Sequence, residues 1–345
     1  MQISGSSNLP SRLPGALPTS EAQPLAVTDR VTTGESREAW LQRPNFGVNS
    51  PTRVSLSPDL GQVQISLHGR DLFSKSSDLG FLGPEAARSI GDGARWRHPF
   101  PQDWPWPPVE PRDLQPLTQN GTTQMAITDP DFLKQYGAQT GLTVTSGTAG
   151  ATVLQADLQN LDSKPKSAWI VAPFNMPSGH SLQDPAAMAV FPILDTSELE
   201  QLHCSQGDPA AQTWDYDAQS QLMFVAPGAA LGDNQQKAYF SNRPSLFGRK
   251  GDSSIMLMKA RGAEGPQGFQ VFAAIHNYVE LEWAGKAVGQ DEKSQVSVEM
   301  RPLDLGSLNL EIDGQKLEKL GQSPLGLKAE LLAVSRALKL NQQFE

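Results

Sequence analysis

Residues 54–73 read VSLSPDLGQVQISLHGRDLF, and this stretch decides the fold class. Val63, Ile65 and Leu67 alternate with Gln62, Gln64, Ser66 and His68, the period of two that turns one face of a strand inward. Arg53 to Ser57 alternates in the same way. Between the two arms, Pro58-Asp59-Leu60-Gly61 has the composition of a turn. His68-Gly69-Arg70-Asp71 turns the chain again before Leu72 and Phe73 begin a further short strand. The pattern predicts an antiparallel hairpin.

Outward from this hairpin the same signal repeats. Strand patterns stand at 122–127, 141–146, 151–160, 168–174, 187–193, 221–225, 236–241, 254–259, 268–283 and 295–301. In 151–160 the set Val153, Gln155, Asp157, Gln159 alternates with Leu154, Ala156, Leu158, Asn160. Short strands at near-regular spacing, punctuated by 30 Gly and 27 Pro in 345 residues, predict a sandwich or barrel and exclude an all-α fold. Residues 1–38, rich in Ser, Pro, Gly and Thr without an apolar period, read as a flexible lead. Residues 74–115 hold WRHPFPQDWPWPPVEP, too dense in proline for a central strand, and read as a long ordered loop. The sandwich is expected over 39–302. Residues 303–345 are expected to form a hairpin around Asp313-Gly314 and a helix. Ser323 is the expected N-cap and Pro324 the first helical residue, with Leu327, Leu331, Val334 and Leu338 on the face that packs on the sandwich edge.

Composition excludes several function classes. The 37 acidic against 28 basic residues give a net charge of −9, which disfavours a nucleic-acid partner. No stretch approaches the roughly 18 apolar residues of a membrane span, and the first residues lack the apolar run of a secretion signal. One cysteine, Cys204, allows no internal disulfide or cysteine-rich metal site and fits a reducing compartment, so a cytoplasmic location is expected. Asp215 and Asp217 around Tyr216 suit a turn, and His203-Cys204 a polar loop. Dinucleotide, phosphate-cradling and nucleophile-elbow glycine motifs are absent.

Three segments together resemble one family. VSLSPDLGQVQISLHGRDLF (54–73) is similar to the first hairpin of galactose-mutarotase-like proteins, and GFQVFAAIHNYVELEWAG (268–285) to the strand that carries their catalytic base. GDGARWRHPFPQDWPWPPV (91–109) resembles the Trp/Pro loop of a bacterial branch of that superfamily. The resemblance spans Trp40 to Pro302. It implies an antiparallel β-supersandwich with a sugar site on the concave sheet face, no cofactor, and a small-molecule carbohydrate as partner. It implies Glu280 as the base, with Glu282 the alternative. It also departs from the family: Val171 stands where a general-acid histidine precedes the segment corresponding to Phe174-Asn175.

Read as a single strand, residues 275–283 place His276, Tyr278, Glu280 and Glu282 on one face, at steps of about 7 Å. Two neighbouring carboxylates oppose each other's ionisation, which readies one to take a proton near neutral pH. A solvated strand face is the plainer reading of the same pattern. The missing acid has three candidates, His98, His180 and His276. Arg70, Arg95, Trp96, His98, Asn175 and Tyr278 are the candidate sugar-binding residues, since indole faces stack on sugar rings and guanidinium groups donate to hydroxyls. Packing is the alternative for Trp104 and Trp106, as is bracing of the turn for Arg70. No metal site is expected. The expected function is that of an aldose-1-epimerase-type isomerase. A sugar-binding module without turnover, or an assembly protein that kept the fold without a ligand, are the alternatives.

Overall fold

The alternation at 152–160 is realised position by position: Thr152, Leu154, Ala156, Leu158 and Asn160 are buried, and the residues between them half-buried. The structure is a computed structural model. It describes residues 52–57, 62–73, 117–119, 122–127, 137–146, 150–176, 184–201, 203–206, 214–226, 235–264, 268–273 and 278–342. The lead 1–38 and the Trp/Pro loop lie outside the described residues.

The opening stretch forms β1 (Thr52–Ser57), β2 (Gln62–Leu67) and β3 (Arg70–Asp71). After it come β4 (Leu117–Gln119), β5 (Thr122–Ile127), β6 (Ala138–Ser146), β7 (Thr152–Asn160) and β8 (Trp169–Asn175). Next are β9 (Ala187–Pro192), β10 (His203–Gln206), β11 (Trp214–Asp217), β12 (Leu222–Val225), β13 (Gln235–Phe240) and β14 (Ser245–Arg249). β15 (Ser254–Arg261), β16 (Phe269–Ala273), β17 (Tyr278–Ala284) and β18 (Lys293–Asp304) complete the sandwich strands. The tail holds β19 (Glu311–Ile312), β20 (Gln315–Lys316) and the helix α1 (Gly326–Ala337).

Two antiparallel sheets dominate. One has ten strands in the order β11-β12-β9-β14-β15-β18-β7-β6-β5-β4, the other five in the order β10-β13-β16-β17-β8. They pack face to face through aromatic rings: Phe191 of β9 lies 5.0 Å from Phe240 and 5.4 Å from Phe269, and Phe247 of β14 lies 4.4 Å from Phe174. The described residues thus form an antiparallel β-supersandwich with a short C-terminal helix. β9 is buried along its whole length. Its Phe191 faces the other sheet, while Met188 and Val190 join the cluster under α1. Coverage of both faces is what its unbroken apolar run encodes.

Several local expectations change. His203-Cys204 and Asp215–Asp217 lie in strands, β10 and β11, rather than in a loop and a turn. Asp217 instead closes the following turn by accepting the Ser220 N–H at 2.9 Å. The expected strand 268–283 is a hairpin, because Ala273 pairs with Val279 and Phe269 with Trp283. The chain therefore reverses between β16 and β17, and Asn277, the one polar residue in the apolar set of that stretch, was the signal of the break. β14 carries no strand signal of its own, flanked as it is by Pro244 and interrupted by Gly248.

The tail also differs in detail. Asp313 and Gly314, both at positive φ, make the tight β19–β20 turn as expected. Ser323 does not cap the helix: its Oγ accepts the Leu325 N–H at 3.1 Å, and Gly326 then takes φ +84° before α1 proceeds. Leu327, Leu331 and Val334 are buried against Val190, Phe224, Leu246 and Ile255. α1 therefore covers a sheet face, the outer side of β9, β12, β14 and β15, and not an edge. Gly248 makes this possible, since a Cβ there would stand 2.6 Å from Leu320 and 2.9 Å from Leu331.

Candidate functional site

β17 runs between β16 and β8 in the five-stranded sheet. Val279, Leu281 and Trp283 are fully buried on its inner face, where Trp283 meets Phe269 at 5.8 Å. Alternation puts Glu280 and Glu282 on the opposite face, away from the apolar interior. Both are nevertheless buried, with 5% and 1% of their surface exposed. This rules out the plainer reading of a solvated strand face. A carboxylate removed from water needs partners, and neither acid is without one.

The register defines the surroundings. Glu280 is flanked by Pro173 on β8 and Phe272 on β16, Glu282 by Val171 and Gln270, and Tyr278 by Asn175. The two acids stand about 7 Å apart along the strand. Val171 sits directly opposite Glu282 and is buried, so this register position offers an aliphatic wall and no proton donor.

Asn175 is half-buried, and its N–H donates to the Leu72 carbonyl at 2.7 Å. Phe73 forms a bridge with Phe174, and their rings meet edge to face at 5.4 Å. The segment that follows the first hairpin is therefore bridged to the β8 edge of the sheet that carries the acids.

Arg70 precedes this junction. Its Nη1 donates to Asp252 at 2.7 Å and to the Lys250 carbonyl at 3.2 Å, while the side chain is 48% exposed. Asp252 is shared with Arg249, whose Nε donates to it at 2.8 Å. Burial pulls the Arg249 guanidinium below the ordinary arginine value, and the adjacent Asp252 carboxylate opposes that shift. Neither Arg249 nor Asp252 stands out in the sequence, and the missed strand β14 is what places them. His68, at positive φ in the same turn, shares a hydrogen bond with Ser254 at 2.8 Å.

The structure thus brings together Glu280, Glu282 and Asn175 on one sheet, with Arg70 at the turn that feeds its edge. Tyr278 is placed by its backbone, opposite Asn175. His180, His276, Arg95, Trp96 and His98 lie outside the described residues, as do Trp104 and Trp106. Among the described residues no group of three or more His, Cys, Asp or Glu could hold a metal ion. No helix among them is long and apolar enough to cross a membrane.

No protein-family model and no curated protein matches the chain. Solved structures do resemble it. A galactose mutarotase-like protein from Lactobacillus casei ATCC 334 is 10% identical, with a TM-score of 0.46 over 74% of this chain and 98% of that one. The GalM/aldose epimerase homologue from C. elegans is 9% identical, with a TM-score of 0.45 over 74% and 97%. Galactose 1-epimerase from Lactobacillus acidophilus NCFM is 12% identical, with a TM-score of 0.40 over 75% and 93%. The resemblance to galactose-mutarotase-like proteins concerns the fold alone.

Proposed function

We propose that this protein binds a small-molecule sugar over the outer face of the five-stranded sheet and interconverts its anomers, with Glu280 as general base. The observation that carries the reading is a pair of carboxylates buried on the face of β17 that turns away from the core. Such a position costs stability in a purely structural strand and suits a group that must exchange a proton with a ligand. The sequence resemblance of 54–73 and 268–285 to the galactose-mutarotase-like family supports the same assignment.

The chemistry needs only proton transfers. Glu280 takes the proton from the anomeric hydroxyl while an acid protonates the ring oxygen, and the C1–O5 bond breaks. The open aldehyde rotates about C1–C2, and O5 closes on the other face as both protons return. Glu282, the next residue on the same face of β17, is the alternative base. His98, His180 and His276 are the candidates for the acid. Arg70, Arg95, Trp96, Asn175 and Tyr278 would hold the ring. A cytoplasmic setting, with Cys204 reduced, belongs to the same proposal.

The deciding experiment follows the α and β anomers of D-galactose and D-glucose by NMR. Glu280→Gln keeps the shape and removes the base, so the wild-type protein should speed interconversion by orders of magnitude over the variant, with binding retained. Equal rates would remove Glu280 from the mechanism. Sugar binding by a wild-type protein that speeds nothing would favour the second reading, a binding module without turnover, for which Val171 is the specific observation.

A further inference from the structure

The β14–β15 turn carries more buried charge than a turn requires. Arg249 ends β14 and Asp252 stands three residues on, and both side chains are almost wholly buried, at 4% and 3% exposure. They stand at the β14–β15 turn of the ten-stranded sheet, yet what they hold is β3 of the three-stranded sheet. Arg249 donates to the Asp71 carbonyl through Nη1 and to the Arg70 carbonyl at 3.3 Å through Nη2. Asp252 takes Arg249 on one oxygen and Arg70 on the other.

A guanidinium spent on main-chain carbonyls fixes the path of the backbone, and a carboxylate spent on a half-exposed guanidinium fixes the direction in which its remaining donors point. The segment fixed here is β3. One residue later, the Leu72 carbonyl accepts the Asn175 N–H, and β8 pairs with the strand of Glu280. From Asp252 to Glu280 the connection consists of hydrogen bonds and strand pairing alone. The turn is itself pinned from behind. The Gly251 N–H donates to the Leu320 carbonyl at 2.8 Å, and the Leu320 N–H donates to the Asp252 carbonyl at 2.9 Å. Leu320 in turn is set by its neighbours, because the buried Glu330 of α1 accepts the N–H groups of Gly321 and Ser323.

We infer that Arg249 and Asp252 are positioning residues of the sugar site, holding β3 and the Arg70 guanidinium against the edge of the sheet that carries Glu280. The word sugar rests on the function proposed above; the clamp itself rests on these contacts. The pair touches no substrate. It acts through Arg70 and through the backbone of β3.

The test compares Asp252→Asn, Arg249→Lys and, as a control, Glu198→Gln. Glu198, with its side chain 12% exposed, pairs with the fully buried Arg243, Oε1 standing 2.5 Å from Nη2, but lies off the path to Asn175. Hydrogen exchange of the Asn175 amide reads the clamp, and anomer exchange of D-galactose and D-glucose reads KM against kcat. In Asp252→Asn the Asn175 amide should exchange at least about ten-fold faster while β17 amides keep their protection, and KM should rise about ten-fold with kcat little changed, as for loss of one charge-assisted hydrogen bond. Arg249→Lys keeps the charge, loses the fork onto the carbonyls, and should show the same exchange signature; it decides the question if Asp252→Asn does not fold. Unchanged Asn175 exchange in a folded variant overturns the clamp. Equal acceleration in Glu198→Gln overturns it as well, because the effect would then be general loosening. A wild-type protein that neither binds D-galactose or D-glucose nor interconverts their anomers overturns the sugar reading alone, since the Asn175 exchange still decides the clamp.

Discussion

Two polar strand faces in this molecule look alike in sequence and differ in structure. On β7 and β18, Asp157 accepts the amides of Gln155 and Gln295 on the outer face of the ten-stranded sheet, and these side chains remain half-buried or exposed. On β17, Glu280 and Glu282 occupy the same alternate positions of an antiparallel strand and are buried. Period-two patterning reports which face a residue takes; it does not report whether that face is covered. The outer face of the ten-stranded sheet makes the same point within one sheet, since its β7–β18 half is polar and its β9–β15 half is apolar beneath α1.

The largest contrast should come from that second pair of halves. Leu331→Ala empties a fully buried position under α1 and should cost about 2–5 kcal/mol, whereas Val153→Ala on the half-exposed side of β7 should cost under about 1 kcal/mol. Chemical denaturation of both variants reads the difference, and equal losses would mean that α1 is not an integral cover. A smaller contrast tests the two polar faces directly. Glu282→Ala leaves former partners unsatisfied in a closed environment and should cost about 1–3 kcal/mol, while Asp157→Ala, open to water, should stay within about 0.5 kcal/mol. If the two losses were the same, the burial of Glu282 would have no energetic meaning.

What the sequence made legible follows from which interactions are local. The β1–β2 hairpin, the alternation of β7, the Asp313-Gly314 turn and the apolar stripe of α1 are each encoded within sixteen residues or fewer, and each is present. The reversal between β16 and β17 was not read, because both arms keep the same period and only Asn277 interrupts it. The strand β14 was missed because Gly248 serves packing: its lack of a side chain admits Leu320 and Leu331 from more than seventy positions away. With β14 went Arg249 and Asp252, whose partners Arg70 and Asp71 lie about 180 residues earlier. Glu280 and Glu282 were legible as a pair on one face. Their burial was not, because it depends on what lies over the sheet and leaves no mark in the strand.

The smallest expected effect is one of pH and belongs to an open polar position. Asp162 is well exposed, while Lys166, four residues on, is buried and donates to it at 2.8 Å. That hydrogen bond is the largest influence; it is opposed by desolvation and joined by the lysine charge and the backbone N–H groups of Ser163 and Lys164, and together they bring the Asp162 carboxyl from 3.8 down to about 2. A carboxyl whose folded value lies below its unfolded one adds stability above the unfolded value and loses it as pH falls through the folded value. The advantage of the wild-type protein over Asp162→Asn should therefore be complete above pH 4 and should close between about pH 4 and 2, where the wild-type carboxyl also becomes neutral. Melting temperatures of the two proteins across that range give the answer. A gap that stays constant with pH would show that Asp162 holds Lys166 by shape alone, and that charge at this open position counts for less than charge at the covered ones.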